Sequence, residues 1–364
     1  SVNKGDAWKI ISPDLTTNDP AKIISAANPS GGVSPEDTGA ERHCTIITIA
    51  ESPRTQGVLW VGTDDGLVWL SKDDGASWTN VTPNIPGLPK NTWVSRVTAS
   101  SFIEGRAYAT FDGHRNDDFK PYVYMTDNFG ETWTPIFVGL SEGNSCYCIK
   151  EGLRNSELLI VGTEMGLYFS LDRGKSFAKY QSGTFGTVRV DDFVIHPREA
   201  DLVVGTHGRS IWIIPINALE QLTAEARSKA VTLIKPQAVY GLGYSQGGWF
   251  GGDSEFVSRN TQPLGRIEYW LKEKTDQTVR VEILHPDGTS IARIDGSGNA
   301  GLNSVTWRPR QRLLTSEYTV VLNIGDSKFQ TSIRYEDLGA GSDPNNSVAP
   351  SDNDIVQPLL ALLY

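Results

Sequence analysis

One eight-residue pattern, written four times, sets the strongest limit on how this chain can fold. Ser1–Trp8 reads SVNKGDAW, Ser71–Trp78 reads SKDDGASW, Thr126–Trp133 reads TDNFGETW and Ser170–Phe177 reads SLDRGKSF. Each copy has Ser or Thr at its first position, Asp or Asn at its third, Gly at its fifth and an aromatic at its eighth. A catalytic cluster is needed once, whereas a turn is needed in every repeat of a repeat fold. The third residue (Asn3, Asp73, Asn128, Asp172) suits a side chain that accepts hydrogen bonds from its own turn, and Asn does this as well as Asp. The glycine (Gly75, Gly130, Gly174) suits a backbone of positive φ. The aromatic (Trp78, Trp133, Phe177) suits the start of a strand that packs between sheets.

The flanks repeat as well. LWVGTDDGLVWLS (59–71) matches LIVGTEMGLYFS (159–170) and LVVGTHGRSIWII (202–214), and AYATFDGHRNDDFKPYVYMT (107–126) is a divergent copy with a longer loop. A further β-like run precedes each: CTIITIAESP, WVSRVTASSF, CYCIKEGL and RVDDFVIHP. With a short strand after the box, as in SWTNVTP, each unit has four strands, and box-to-box spacings of 70, 55 and 44 residues differ through loop insertions. Four antiparallel strands per repeat of this size predict β-propeller blades.

These motifs resemble the Asp-box, or BNR, repeats of sialidases, sortilin-type receptors and tandem-propeller xyloglucan-hydrolysing endoglucanases. With ISPDLTTNDPAK, TIAESP, LWVGTDDGLV, WTNVTPNIPGLP, TWVSRV, AYATFDGHRNDDFKPYVY and VVGTHGRSIWI, most of the chain is similar to bacterial sortilin-like BNR-repeat proteins often labelled glycosyl hydrolases. The resemblance implies a secreted or periplasmic protein, associated with a membrane complex in one version of the expectation. It also implies a longer chain than this one and a fibronectin-like module after the propeller. The label alone is weak support for catalysis, because one fold carries many functions.

The repeats account for about four blades, and the last has no box. An open stack of blades leaves sheet edges and a flank uncovered. The expectation is therefore protein partners, or a missing N-terminal region, that complete the propeller. A net charge of −10 argues against nucleic acid and against adsorption to anionic lipid. No apolar run reaches membrane-spanning length; the longest, IVQPLLALLY at the end, is broken by Pro358. Cys44, Cys146 and Cys148 make no disulfide framework; the last two are expected on the same side of a strand, poorly placed to pair with each other. With neither CxxC nor paired histidines, no metal and no cofactor are expected.

If the boxes occupy one end of the blades, loops at the other end gather around the channel mouth. Those loops carry Asp64, Asp65, Asp112, His114, Arg115, Glu164, His207 and Arg209. Glycoside hydrolysis needs two carboxyl groups, for which Asp64 or Asp65 with Asp112 or Glu164 are the candidates. A sialidase-like clamp needs three arginines, for which Arg42, Arg96 and Arg189 are available, but no convincing Tyr/Glu partner accompanies them. The bland reading is a DDG hairpin turn at Asp64–Gly66 and a solvated charged loop in DGHRNDDFK.

Downstream, Ile216–Ala230 reads as a short helix, with Asn217 and Glu220 set as a capping box. A Gly-rich segment follows, then alternating runs such as VRVEIL and YTVVLNI with PDG and IGD turns, which predict an Ig- or fibronectin-like sandwich. The expected organisation is propeller blades over 1–216 and a helix with a Gly-rich linker over 217–263. A β-sandwich over 264–337 and a polar linker with an apolar tail over 338–364 complete it. The function expected of this all-β chain is non-catalytic binding or scaffolding outside the cytoplasm. The alternative is a glycoside hydrolase acting on extracellular glycans.

Overall fold

A computed structural model describes residues 3–23, 43–181, 185–241, 264–309 and 313–338. Arg42, the Gly-rich segment from 242 and the tail from 339 lie outside the described residues. The chain divides into two compact units, Ser1–Thr223 and Ala224–Tyr364.

The first unit is a run of antiparallel sheets in β-propeller order. Blade 1 holds β1 (Ile46–Glu51), β2 (Leu59–Thr63), β3 (Val68–Ser71) and β4 (Thr79–Asn80). Blade 2 holds β5 (Trp93–Ala99), β6 (Ala107–Asp112), β7 (Tyr122–Thr126) and β8 (Thr134–Pro135). Blade 3 holds β9 (Cys146–Glu151), β10 (Leu159–Thr163), β11 (Gly166–Ser170) and β12 (Ala178–Lys179). Blade 4 has three strands among the described residues, β13 (Val190–Ile195), β14 (Asp201–Thr206) and β15 (Ile211–Pro215). Inner strands stack in sequence, β1 beside β5, β5 beside β9 and β9 beside β13.

The repeated eight-residue stretch makes the turn from third to fourth strand. Ser71 Oγ receives Gly75 N–H at 2.8 Å and donates to Asp73 Oδ1 at 2.9 Å, while Asp73 takes Ser77 N–H at 2.8 Å and Ser77 O–H at 2.6 Å. Ser170, Asp172, Gly174 and Ser176 reproduce this, and so do Thr126, Asn128, Gly130 and Thr132, except that the Asn128 amide donates to the Thr132 hydroxyl at 3.0 Å. Asn3 accepts Ala7 N–H in the same way at 3.0 Å. The turn needs left-handed backbone at two successive positions, φ 55° at Asp74 and 85° at Gly75. A Cβ on Gly75 would stand 2.9 Å from the Ile11 carbonyl oxygen; on Gly130, 3.0 Å from Val81; on Gly174, 2.9 Å from Ile136. In each case the neighbour belongs to the segment before that blade, so the turn also latches consecutive repeats together.

Two of the motif aromatics, Trp133 and Phe177, fill spaces between sheets, whereas Trp78 is half-buried and Trp8 is exposed. Trp133 meets Trp60 edge-on at 5.9 Å in a core shared by blades 1 and 2. Phe177 is buried with Tyr108, Ile149 and Leu159 between blades 2 and 3. The glycine of the VGT motif has a packing reason: on Gly162 a Cβ would fall 2.5 Å from Cys148 Sγ and 2.7 Å from Val190.

Each inner strand carries a register shift near its start, at Ile46/Thr48, Val94/Arg96, opposite Gly162/Thr163, and at Val190/Asp192. One consequence corrects the cysteine expectation. Strict alternation puts Cys146 and Cys148 on the same side, but the irregularity in β9 turns them apart. Cys146 is buried toward the blade-2 side with Tyr108 and Val123, whereas Cys148 Sγ points to the Val190 carbonyl of blade 4 at 3.8 Å.

The expected single helix is two short ones, α1 (Asn217–Gln221) and α2 (Ala224–Ser228), and the capping box does not form. Ile216 occupies the N-cap without a side-chain bond, and Glu220 instead accepts the N–H groups of Leu153, Arg154 and Asn155 at 2.8, 2.8 and 3.2 Å. A carboxylate that satisfies three backbone donors of blade 3 is worth more there than in its own helix, which carries α1 into the first unit.

The second unit has two sheets. One has the order β16 (Val231–Leu233), β18 (Gly265–Leu271), β21 (Gly301–Trp307). The other has the order β17 (Val239–Gly241), β23 (Ser327–Asp337), β22 (Ser316–Ile324), β19 (Val279–Leu284), β20 (Ser290–Asp295), with β17 parallel to β23. Alternation along β19 and β22 supplies one core of Val279, Val281, Ile283, Tyr318, Val320 and Leu322, closed by Trp307 and Tyr269.

The close approach at Gly162 makes a prediction. Gly162→Ala should lower stability by about 1–3 kcal/mol through overpacking against Cys148 and Val190. Urea denaturation of the purified protein measures it.

Candidate functional site

At the end of the blades opposite the repeated turns, the inner-strand bulges gather a charged and aromatic surface. Four equivalent positions end or directly follow the second strand of each blade: Asp112 ends it, and Asp64, Glu164 and His207 follow it. Asp64, Glu164 and His207 each donate their backbone N–H back to the start of the inner strand, at Thr45, Ser145 and Arg189. The shared position explains why four sequence candidates lie at one end of the blades.

Their chemistry differs. Asp64 is buried, accepts Thr45 N–H at 2.8 Å and lies 3.7 Å from His43 Nδ1. Asp65 is also buried and binds the Thr63 hydroxyl and Thr17 N–H. Burial alone would raise its pKa, but these hydrogen bonds prevail and hold it below the ordinary aspartate value. Asp112, buried as well, accepts His114 N–H at 3.1 Å, contacts His114 Nδ1 and pairs with Arg115 Nη1 at 3.3 Å. Glu164 is half-buried and takes the Tyr147 hydroxyl at 2.6 Å. All four candidate carboxylates are thus engaged by groups next to them.

Two arginines lie on aromatic faces. Arg115 sits 3.9 Å from the Trp93 ring centre and Arg189 lies 3.9 Å from that of Tyr147. Arg189 also binds Asp191 through Nε at 2.6 Å, and His207 Nδ1 stands 3.6 Å from the other Asp191 oxygen. Burial, the Glu164 hydrogen bond and nearby Asp112 push the Tyr147 phenol well above its ordinary range, so it remains a donor. Burial acts against the Arg189 charge, but Tyr147 and Asp191 outweigh it and raise its pKa.

Arg96 and Arg189, two members of the proposed three-arginine clamp, are each bound to a carboxylate. Arg96 Nη2 reaches Asp192 Oδ1 at 3.1 Å, joining blade 2 to blade 4. Arg209 is exposed and makes no ion pair among the described residues; its carbonyl accepts Trp212 Nε1 at 2.8 Å. No group of three His, Cys, Asp or Glu side chains among the described residues is placed to hold a metal ion.

Sequence reasoning missed Trp93, Tyr147, Asp191 and Asp192. The last three follow register shifts, which alternation does not reveal, and Trp93 becomes part of the site only through Arg115. It also missed Glu151 at the box end of the blades, a buried acid that accepts Ser100 O–H at 2.8 Å, Ser101 N–H at 3.0 Å and Tyr108 O–H at 2.9 Å. Burial raises its pKa against these bonds.

No family model and no curated protein matches the chain. Among solved structures it is similar to an ancestral GH74 enzyme, with 12% identity and a TM-score of 0.39 over 79% of this chain and 36% of that one. It is also similar to YCF48 bound to D1 peptide, with 14% identity and a TM-score of 0.35 over 79% of this chain and 82% of that one. A third is PorZ, a bacterial surface component of the type-IX secretion system of Porphyromonas gingivalis, with 13% identity and a TM-score of 0.28 over 79% and 51%. The chain spans about a third of the GH74 enzyme's length.

The Asp65 bonds predict a pH effect with a definite sign. A carboxyl group whose folded pKa is depressed contributes stability above its unfolded pKa, about 4, and loses it as pH falls through the folded value. Asp65→Asn should therefore cost roughly 1–3 kcal/mol at pH 7, and the gap to the parent protein should narrow below about pH 4. Urea unfolding at pH 7 and pH 3 checks it.

Proposed function

We propose that this protein is a non-catalytic binding or scaffold subunit working in the periplasm or outside the cell, with its propeller mouth holding a protein segment. The observation that carries this reading is the state of the mouth carboxylates. Asp64, Asp65 and Asp112 are buried in local hydrogen bonds, and Glu164 is held by Tyr147. A glycosidase needs one acid kept protonated and a second carboxylate free to act on the sugar. The described acid with a raised pKa in this unit that sits deepest, Glu151, lies at the opposite end of the blades. What the mouth does offer is arginine stacked on aromatic surface, the residue types that dominate protein interfaces.

We further propose that the repeated turns are Asp-boxes and that the second unit is an Ig/fibronectin-like module. Its three- and five-stranded sheet orders support the module, as does Tyr318, whose hydroxyl donates to the Leu314 carbonyl at 3.0 Å. That bond from the start of a strand to the backbone just upstream is a recurring feature of such sandwiches. Net charge of −10 suits protein partners with basic surface. Among the described residues no helix is long and apolar enough to cross a membrane.

The test has two arms. The purified protein is offered a panel of sialosides, xyloglucan and β-glucans, and separately a partner is co-purified from the native extract. Expected are no turnover and a defined complex whose affinity falls at least tenfold in Arg115→Ala/Arg189→Ala. Turnover that is lost in Glu164→Gln or Asp64→Asn, with the fold intact, would replace this reading with glycoside hydrolysis.

A further inference from the structure

Beside the stacked Arg115 and Trp93, the mouth holds a cavity of about 240 Å³. One wall is the 89–92 segment that joins β4 to β5, and the other is the 113–118 loop between β6 and β7. Lys22 closes it from the segment before blade 1. Lys22 and Lys90 are exposed, and neither ammonium has an ion-pair partner among the described residues. An exposed lysine is ordinary by itself. Two unpaired ones on one walled cavity, in a chain of net charge −10, make a local positive site on an acidic protein.

The walls are held by bonds of their own. Thr92 is buried, and its hydroxyl donates to the Pro89 carbonyl at 2.8 Å. Gly66 of blade 1 backs this wall: a Cβ there would stand 2.8 Å from the Thr92 carbonyl oxygen. Asn91 takes left-handed backbone, φ 59°, and its carbonyl accepts the Asn116 side-chain amide at 3.3 Å, which ties the two walls together. Within the second wall the Gly113 carbonyl accepts the N–H groups of Asn116 and Asp118 at 2.8 and 3.1 Å. Lys22 is set by a turn at Asp19, whose carbonyl accepts Lys22 N–H at 3.0 Å and whose side chain accepts Ala21 N–H at 3.0 Å. Ahead of that turn Leu15 is buried and Thr17 N–H donates to Asp65, so the segment is anchored on blade 1.

We propose that this cavity is the specificity pocket of the mouth, and that the protein segment held there enters it with an aspartate or glutamate side chain. The inference rests on the binding reading above and names the chemistry of the partner. The volume is smaller than that of sites for drug-sized ligands and suits a single side chain. The two ammonium groups supply the charge that a carboxylate needs. The cavity is continuous in sequence with the arginine–tryptophan stack, because Thr92 precedes Trp93 and Arg115 lies between Gly113 and Asn116. Asp118 sets a limit. It lines the same cavity, accepts Tyr122 O–H at 2.6 Å and Lys120 N–H at 3.2 Å, and has no ion-pair partner among the described residues. A second acid beside the first would meet its charge. The segment therefore carries one acid next to a hydroxyl or cationic residue, and not an acidic run.

The test offers the whole protein an array of capped peptides, each with one variable position flanked by serine and lysine, and free glucuronate in a parallel titration. Peptides with Asp or Glu at the variable position are expected to bind about tenfold more tightly than their Asn or Gln counterparts. Lys22→Gln/Lys90→Gln should erase that preference and Lys22→Arg/Lys90→Arg should keep it. Circular dichroism of both variants should match the parent, because the substituted side chains are exposed. Peptides bound with no preference for an acid would overturn the proposal and leave the binding reading standing. An acid preference that survives Lys22→Gln/Lys90→Gln would overturn it too, and would move the contact to Arg115 or Arg189. Failure of every peptide to bind would also overturn it, and glucuronate binding would then assign the cavity to an acidic sugar. The complex sought in the preceding test decides the binding reading on its own.

Discussion

The contact on which the first unit depends is the close approach of a turn glycine to the strand end of the repeat before it. Gly75 against Ile11, Gly130 against Val81 and Gly174 against Ile136 are the same event three times. The side-chain bonds of the turn hold this geometry, with Ser or Thr at the first position and Asp or Asn at the third binding the loop from inside. Any Cβ at the fifth position strains the turn and pushes the neighbouring blade away at once. Local conformation and blade stacking are therefore one constraint, which is why the pattern tolerates so few residue types while the loops around it vary freely.

The two ends of the blades are wired differently. At the box end, acids close the turns of the preceding blade. Glu151 takes donors from Ser100, Ser101 and Tyr108, and Glu220 takes three backbone donors from the β9–β10 turn. At the mouth, acids pair with arginine, histidine and tyrosine around the irregular starts of the inner strands. The first arrangement fixes one blade to the next. The second leaves stacked guanidinium groups on a surface where another molecule can reach them.

Much of the fold could be read from the residues because its constraints are local. The Ser-x-Asp-x-Gly spacing announces its turn, and alternation in VRVEIL or YTVVLNI announces a strand that is covered on one face. The mouth is legible only in part. Asp64, Asp112, Glu164 and His207 share one repeat position and so fall at one end of the blades. Asp191 and Asp192 reach Arg189 and Arg96 through a register shift, and a shift depends on the partner strand, not on the strand's own sequence. Asn217 and Glu220 show the opposite failure: the local pattern suggests a cap, but three donors in blade 3 compete for the carboxylate and win.

The bulge in β9 also has a consequence for the chain's tolerance of its surroundings. Cys146 and Cys148 are close in sequence, yet Cys146 is buried in the apolar cluster with Tyr108 and Val123 while Cys148 is buried against the Val190 carbonyl. Burial raises both thiols far above their ordinary range. Thiolate is the form that oxidants and disulfides react with, and it is scarce at both positions. Two cysteines close in sequence are thereby kept as buried thiols facing different neighbours.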